Sequence, residues 1–402
     1  MKRIFDPIHH FIELSPAEAK LLDSDVMQRM RRLRQLGLAY LAFPSAEHSR
    51  FSHALGAVAA GTRVFETLIT HSREAFENAD IEYERQLLRA ALLLHDIGHG
   101  PFSHACEAVL GIRHEARTEA ILNLPRIREP LAALGVDPKD VLALIIGNGS
   151  GRHRVFGEIV SGPNLDADRM DYLLRDSYFT GVATGHYDSE QLFGALRIYQ
   201  HSNHSILGVD SRGVVALESF VLARYMMFAT VYFHHTTRMY ERILQDALRE
   251  LWPHPSALND IEAFLDWDDA RVMTELERLD SDAARALRGR IRVYAVAAEF
   301  NAEHDLDVFQ ECERGLRSRW GDAVWADSQE QLMHRLPLGS DDGRPTVMVG
   351  IGDTLVDARE ASDLIKRVSG RAYWRKLFVR RDRVDVAAAR AICNSIIKAA
   401  AH

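Results

Sequence analysis

Apolar residues recur every three or four positions through roughly the first 250 residues, the spacing that gives a helix one buried stripe. The pattern is densest over 86–96, where Leu87, Leu88, Ala90, Ala91, Leu92, Leu93 and Leu94 make the run apolar nearly all round, so a buried helix rather than a surface one is expected. Gly98, Gly100 and Pro101 break it, and Ser103 is placed to cap the next helix. The same spacing predicts helices over 15–36, 53–70, 117–122, 138–146, 168–177 and 189–198. Over 205–217 two β-branched apolar stretches flank Asp210-Ser211-Arg212-Gly213, which predicts a short hairpin feeding a helix from about Glu218.

After about residue 300 the pattern changes. Polar turn residues over 339–345 precede an apolar β-rich run over 346–351, and 374–380 alternates apolar and basic residues as an exposed strand would. The expectation is a mainly α protein: a helical catalytic core over 1–300 with one hairpin, and a small mixed α/β region over 301–402 serving oligomerisation or regulation.

Composition narrows the partners. The chain has 402 residues, 47% hydrophobic, with a formal net charge of -8, which disfavours a bulk grip on nucleic acid or anionic lipid. Cys106, Cys312 and Cys393 lack paired spacing, so neither a disulfide framework nor a thiolate zinc site is expected. The N-terminus has no secretory pattern, and no apolar run is expected to cross a membrane, making the cytoplasm the default location.

His95 and Asp96 end the buried helix, where an unpaired imidazole and carboxylate are costly, so coordination or hydrogen bonding must satisfy them. Neutral histidine and carboxylate suit a divalent or transition metal ion, with Mn, Fe, Mg, Ni, Co and Zn all compatible. His53 and Asp168 are the further donors suggested by type and setting, although the run holding Asp168, Asp171 and Asp176 also reads as a solvated helix face. His99 and His104 follow the pair across a glycine-rich bend, where they could protonate a leaving oxygen, and His114-Glu115 is a second dyad nearby.

These motifs carry a resemblance. Asp6-Pro7-Ile8-His9, Gln28-Arg29-Met30-Arg31, Arg34-Gln35-Leu36-Gly37, the run from Phe43 to Gly56, His95 to His104, Asp166 to Asp176 and Tyr232-Phe233-His234-His235 are similar to those of the HD-domain phosphohydrolases. Within them the chain resembles the deoxynucleoside triphosphate (dNTP) triphosphohydrolases that share the core of the SAM-and-HD-domain enzymes, though it is expected to lack both the SAM domain and the basic arm that completes an activator site in relatives.

The resemblance implies an HD-domain helical core and release of inorganic triphosphate from a dNTP. It implies His53, His95, Asp96 and Asp168 as metal ligands, and His99, His104, Glu107, His114 and Glu115, with Asp96, as catalytic groups. Gln35, Leu36, Arg50, Arg169, Tyr172, Asp176, Arg224 and Tyr232 then hold substrate, with Tyr232 excluding a 2′-hydroxyl, and Asp23, Gln28 and Arg31 resemble contacts to a nucleotide activator. A homo-oligomer, dimer or tetramer, is the implied assembly. Phe228 stands where a histidine is expected and Arg169 where a lysine is expected.

Two other readings remain open. One is a different HD-type reaction, a 5′-nucleotidase or phosphodiesterase. The other is a nucleotide-sensing or single-strand-binding regulator, with Arg371, Trp374, Arg375, Lys376, Arg380, Arg381 and Arg383 as its surface.

Overall fold

The computed structural model describes residues 1–400 except 163–164, 202–203, 335–346 and 369, and omits the side chains at 104, 331–334 and 370. The described chain is mainly helical, as expected, with three small sheets. The principal core is built on helices α1 (Arg50–His71), α2 (Ile81–Leu94), α3 (Ala167–Thr180) and α4 (Val214–Met227). All seven apolar residues singled out in α2 are buried, as a run apolar nearly all round requires. Helix α5 (His235–Leu251) forms a second cluster with the helices that follow it.

An N-terminal hairpin, β1 (Lys2–Asp6) and β2 (His10–Leu14), lies against this core. Its turn is held by Asp6, whose Oδ1 accepts from the backbone N–H of Ile8 and His9 at 2.9 Å each. That turn delivers Asp6 and His9 to α3.

Several boundaries differ from expectation. The helix expected over 15–36 is broken: Pro16–Leu22 ends at Asp23, and Ser24 caps a new short helix, Asp25–Arg29. The stretch expected as helix over 189–198 stops at Ala195, and β3 (Leu196–His201) begins there. The hairpin pairs β3 with β4 (His204–Asp210), not residues on either side of 210–213. Residues 211–213 form a tight helical turn that leads into α4, since Gly213 packs too closely on Ala195 and Val209 for any side chain.

The C-terminal region divides between two places. In one, β5 (Tyr294–Phe300), β6 (Val324–His334) and β9 (Gly370–Arg380) form an antiparallel sheet in the order β5-β9-β6, backed by helices Leu306–Trp320 and Val386–Ala400. In the other, β7 (Met348–Ile351) pairs in parallel with β4 of the helical core, and β8 (Thr354–Asp357) extends that sheet. The turn expected over 339–345 lies outside the described residues.

The expectation of an exposed strand at 374–380 is corrected. β9 is the central strand, and Trp374, Arg375 and Lys376 are buried, with the Arg375 guanidinium donating to the Ala302 carbonyl at 2.8 Å. The proposed single-strand surface therefore loses three of its seven residues. A second correction concerns α4: Ser211–Tyr232 is long and apolar enough to cross a membrane, with mean hydropathy 1.6, but Ala216, Leu217, Phe220, Val221 and Met227 are buried in the core. The three cysteines are free thiols and buried.

Candidate active site

Three elements converge on one largely buried cluster. α1 begins at Ser49, whose hydroxyl accepts from the Ser52 N–H, and its first turns carry Arg50 and His53 inward. His95 and Asp96 follow the last residue of α2, and Asp168 lies in the first turn of α3. His53 Nε2 lies 3.0 Å from Asp168 Oδ1 and 3.3 Å from His95 Nε2. Asp96 stands beside them, with Oδ1 3.6 Å from His95 Nε2 and Oδ2 3.9 Å from His53 Nε2.

The other ring nitrogens are already committed. His95 Nδ1 donates to the Leu92 carbonyl at 2.7 Å, and His53 Nδ1 donates to Asp171 Oδ2 at 2.7 Å. Both Nε2 atoms are thus turned towards Asp168, the tautomer that metal ligation requires. The ligating atoms of His53, His95 and Asp168 all lie within 4.8 Å of one another, a spacing that one cation can bridge. Burial opposes charge on His53, but bonds to Asp168 and Asp171 outweigh it and lift its pKa to about 10. Burial likewise opposes charge on Asp168, yet bonds from His53 and His95 hold its pKa well below the usual range. A site this negative attracts a cation, which would displace the proton.

Behind the cluster lies a network that the sequence reading did not assemble. Asp171 is fully buried and accepts from His53, from His9 Nε2 at 2.8 Å and twice from Arg175, at 2.8 Å each. Arg175 also reaches Asp6 at 2.8 Å. Gly56 makes room for it: a Cβ there would lie 1.9 Å from Asp171 Oδ1 and 2.2 Å from Arg175 Nη2. The four-residue spacing of Asp171 and Arg175 and the Asp6-to-His9 motif were the legible signals.

A second histidine group adjoins the first. His99 Nε2 is 3.4 Å from Asp96 Oδ1, and Glu107 Oε1 lies 3.2 Å from His99 Nδ1 and 3.0 Å from His114 Nδ1. The two rings stack at 4.0 Å, and Glu115 lies 3.7 Å from His114. Burial and the Arg50 charge push the His99 pKa down to about 4, so the ring is neutral at pH 7. His104 opens the helix His104–Leu110, and its side chain lies outside the described residues.

Ser103 does not cap that helix. It and Phe102 have positive φ, 53° and 51°, a conformation costly for side chains other than glycine. The Ser103 hydroxyl instead accepts from Arg50 Nε and Nη2 at 3.0 and 2.6 Å, while Arg50 Nη1 pairs with Asp96. Asp269 holds the strained bend by accepting from the Phe102 N–H at 2.8 Å.

Next to Arg50 opens a cavity of about 520 Å³. Six of the expected substrate residues line it: Gln35, Leu36, Arg50, Tyr172, Asp176 and Tyr232. The Tyr232 hydroxyl donates to Asp176 Oδ2 at 2.8 Å, and His48 Nε2 fixes the other oxygen at 2.7 Å. Phe228 and Tyr232 share a π-helical turn that follows α4, closed by the Phe233 N–H donating to the Phe228 carbonyl at 3.0 Å. Arg169 pairs with Asp166, and Arg224 interacts with Tyr172; neither lines the cavity directly. Asp23, Gln28 and Arg31 do not line it. Arg31 Nε donates to Gln28 Oε1 at 2.8 Å and its guanidinium covers the Phe51 ring at 3.6 Å, while Asp23 pairs with Lys2.

Comparison with known proteins agrees with this geometry. The HD domain matches residues 50–175 and the HD associated region matches residues 188–298. The chain is 37% identical over 246 residues to the uncharacterized protein YwfO of Bacillus subtilis, covering 60% of this chain and 54% of that one. It is 31% identical over 261 residues to the deoxynucleoside triphosphate triphosphohydrolase SAMHD1 homolog of Dictyostelium discoideum, covering 62% and 49%. It spans about half the length of the curated relatives it matches. A solved structure of a hypothetical protein from Aquifex aeolicus is 32% identical with a TM-score of 0.81, covering 97% of this chain and 99% of that one. HD domains bind divalent metals, and His53, His95 and Asp168 form a candidate group that could hold one here, with the identity of the metal open. From its matched domain, its architecture and its relatives, this chain belongs to the HD-domain phosphohydrolases and is related to SAMHD1 among them.

Proposed function

We propose that this protein is a metal-dependent dNTP triphosphohydrolase, converting a dNTP and water to a deoxynucleoside and inorganic triphosphate. The observation that carries the reading is that Arg50 both lines the cavity and pairs with Asp96, so a phosphate entering the cavity meets a cation and the ligand cluster together. The relatives named as deoxynucleoside triphosphate triphosphohydrolases support it.

His53, His95, Asp96 and Asp168 would hold the metal, which when bound would polarise the α-phosphate and lower the pKa of the attacking water. The remaining roles belong to this chain's own side chains. Ser103 anchors the Arg50 guanidinium so that its fork can meet phosphate oxygens in a fixed orientation. Arg169 and Arg224 add positive charge beside Tyr172, where a triphosphate presents more negative charge than one cation can neutralise. Glu107 touches both His99 and His114, so a proton can pass between the rings through its carboxylate. His114 or His104 protonates the departing 5′ oxygen, with His99 neutral beside His114, and Glu115 supports His114.

Gln35 Oε1 is a buried acceptor with no protein partner among the described residues, as a ligand hydroxyl requires. Tyr172 and Tyr232 meet edge to face at 6.0 Å beside it. The bond to Asp176 fixes Tyr232 where a ribose 2′-hydroxyl would have to fit. Phe228, in place of the expected histidine, adds an aromatic wall rather than a donor. Nucleotide activation through Asp23, Gln28 and Arg31, in a dimer or tetramer, extends the proposal to regulation.

The test is product identification from metal-quantified protein given each dNTP alone and all four mixed, with Mn or Mg. Deoxynucleoside and intact triphosphate are the expected products, and activity confined to the mixture would establish activation. Pyrophosphate or orthophosphate as the primary product would overturn the reading in favour of a nucleotidase or phosphodiesterase.

A further inference from the structure

One wall of the cavity has no part in the reaction described above. It is formed by Arg238 and Glu241 from α5 and Gln329 from β6, so the C-terminal sheet reaches the pocket. The three are locked together. Asp327, buried in β6, accepts from Arg238 Nε at 2.9 Å, from Arg238 Nη2 at 2.8 Å and from Gln329 Nε2 at 2.7 Å. Arg238 Nη1 donates to Glu241 Oε2.

Charge decides which part of a nucleotide this wall could face. The carboxylates of Asp327 and Glu241 occupy the Arg238 guanidinium, and the charge of Lys376, the cross-strand partner of Asp327, also acts on Asp327, so the wall offers a polyphosphate no surplus of positive charge. It can still exchange hydrogen bonds with an uncharged polar group. Phe228, Tyr232 and Phe233 line the same cavity, packed on one another, and give it an aromatic surface. Aromatic faces beside a neutral-group hydrogen-bonding edge are the requirements of a nucleobase.

We propose that Gln329, held by Asp327 and Arg238, is a specificity-determining residue that reads the edge of the nucleobase. The inference rests on the nucleotide reading of the cavity. With Nε2 committed to Asp327, the carbonyl of the Gln329 amide is oriented as an acceptor for a base N–H, and the C-terminal sheet sets base preference without touching the reacting atoms.

The experiment measures binding of the four deoxynucleosides to metal-loaded full chain by ligand-observed NMR, for wild type, Gln329→Leu and Gln329→Glu, with thermal unfolding as the check on folding. Wild type is expected to spread its four affinities over roughly fivefold or more, the worth of one hydrogen bond. Gln329→Leu should flatten them to within about twofold, and Gln329→Glu should reorder them. Unchanged ranking and spread in both folded variants would overturn the proposal, as would absence of deoxynucleoside binding by wild type. Product analysis on wild type judges the reaction separately. Base ranking that responds to residue 329 without triphosphate release upholds the inference and removes the reaction; triphosphate release with an unresponsive ranking does the reverse.

Discussion

Replacing Asp171 by Asn tests whether the buried network, rather than the ligands alone, builds the metal site. The carboxylate accepts four hydrogen bonds, one from His53, one from His9 and two from Arg175, and none of its surface is exposed. An amide has one accepting oxygen, so its NH₂ must face at least one of these donors, and Arg175 keeps only Asp6 as a charge partner. Breaking a buried ion pair costs about 3–5 kcal/mol, and removing the group that orients a ligating histidine weakens metal binding by roughly 10- to 100-fold. Asp171→Asn should therefore lower the urea-derived unfolding free energy of the metal-free protein by about 3 kcal/mol or more, and weaken metal affinity in calorimetric titration by at least about tenfold. Burial opposes ionisation of Asp171, but Arg175, His53 and His9 hold its pKa well below the usual range. This contribution is fully present above the unfolded pKa and is lost only as pH falls through the lower folded value, so the deficit should be intact at pH 7. A loss below about 1 kcal/mol with unchanged metal affinity would refute the reasoning.

The other expectations concern neighbouring parts of the site. His95→Ala and Asp168→Ala should each abolish metal binding and turnover together, read by elemental analysis and product assay; full activity in either removes the ligand assignment. Tyr232→Phe should keep discrimination of dGTP against GTP, whereas Tyr232→Ala should relax it, and comparable wild-type turnover of both nucleotides would defeat the steric account. Burial raises the Asp269 pKa to about 6 despite bonds from the Arg34 and Phe102 N–H groups. Wild type should therefore lose stability relative to Asp269→Asn as pH rises from about 4 to about 6, by up to about 3 kcal/mol, and a pH-independent difference in unfolding free energy would contradict this.

Periodicity alone exposed the helical core because the second half of α2, from Leu87 to Leu94, is apolar nearly all round, and burial is what such a segment needs. It also led to the His95 and Asp96 positions, since polar groups ending an apolar helix must be satisfied. It could not separate a helix from a strand at 196–198, where a short apolar run fits both periods. Nor could it show that β9 is central. Arg375 and Lys376 read as an exposed edge, and only the flanking strands and the Ala302 carbonyl explain how those charges lie buried. Ser103 looked like a cap because caps are local, whereas its hydroxyl serves Arg50, 53 residues earlier in the chain. The Asp171 network and the Gln329 wall depend on contacts between distant segments, which no local pattern encodes.

The parallel pairing of β4 with β7 has a consequence for synthesis. Residues 211–347 must leave the ribosome after β4 before its partner exists. At roughly 5–20 residues per second, that edge waits on the order of ten seconds with open backbone donors and acceptors. The ligand histidines and aspartates are all translated well before then, but β6 and β7 arrive only with the last quarter of the chain. A nascent chain would thus hold a metal cluster beside a pocket lacking one wall and a sheet lacking a strand. Completion of the chain is then what both protects the edge and gives the pocket its final shape.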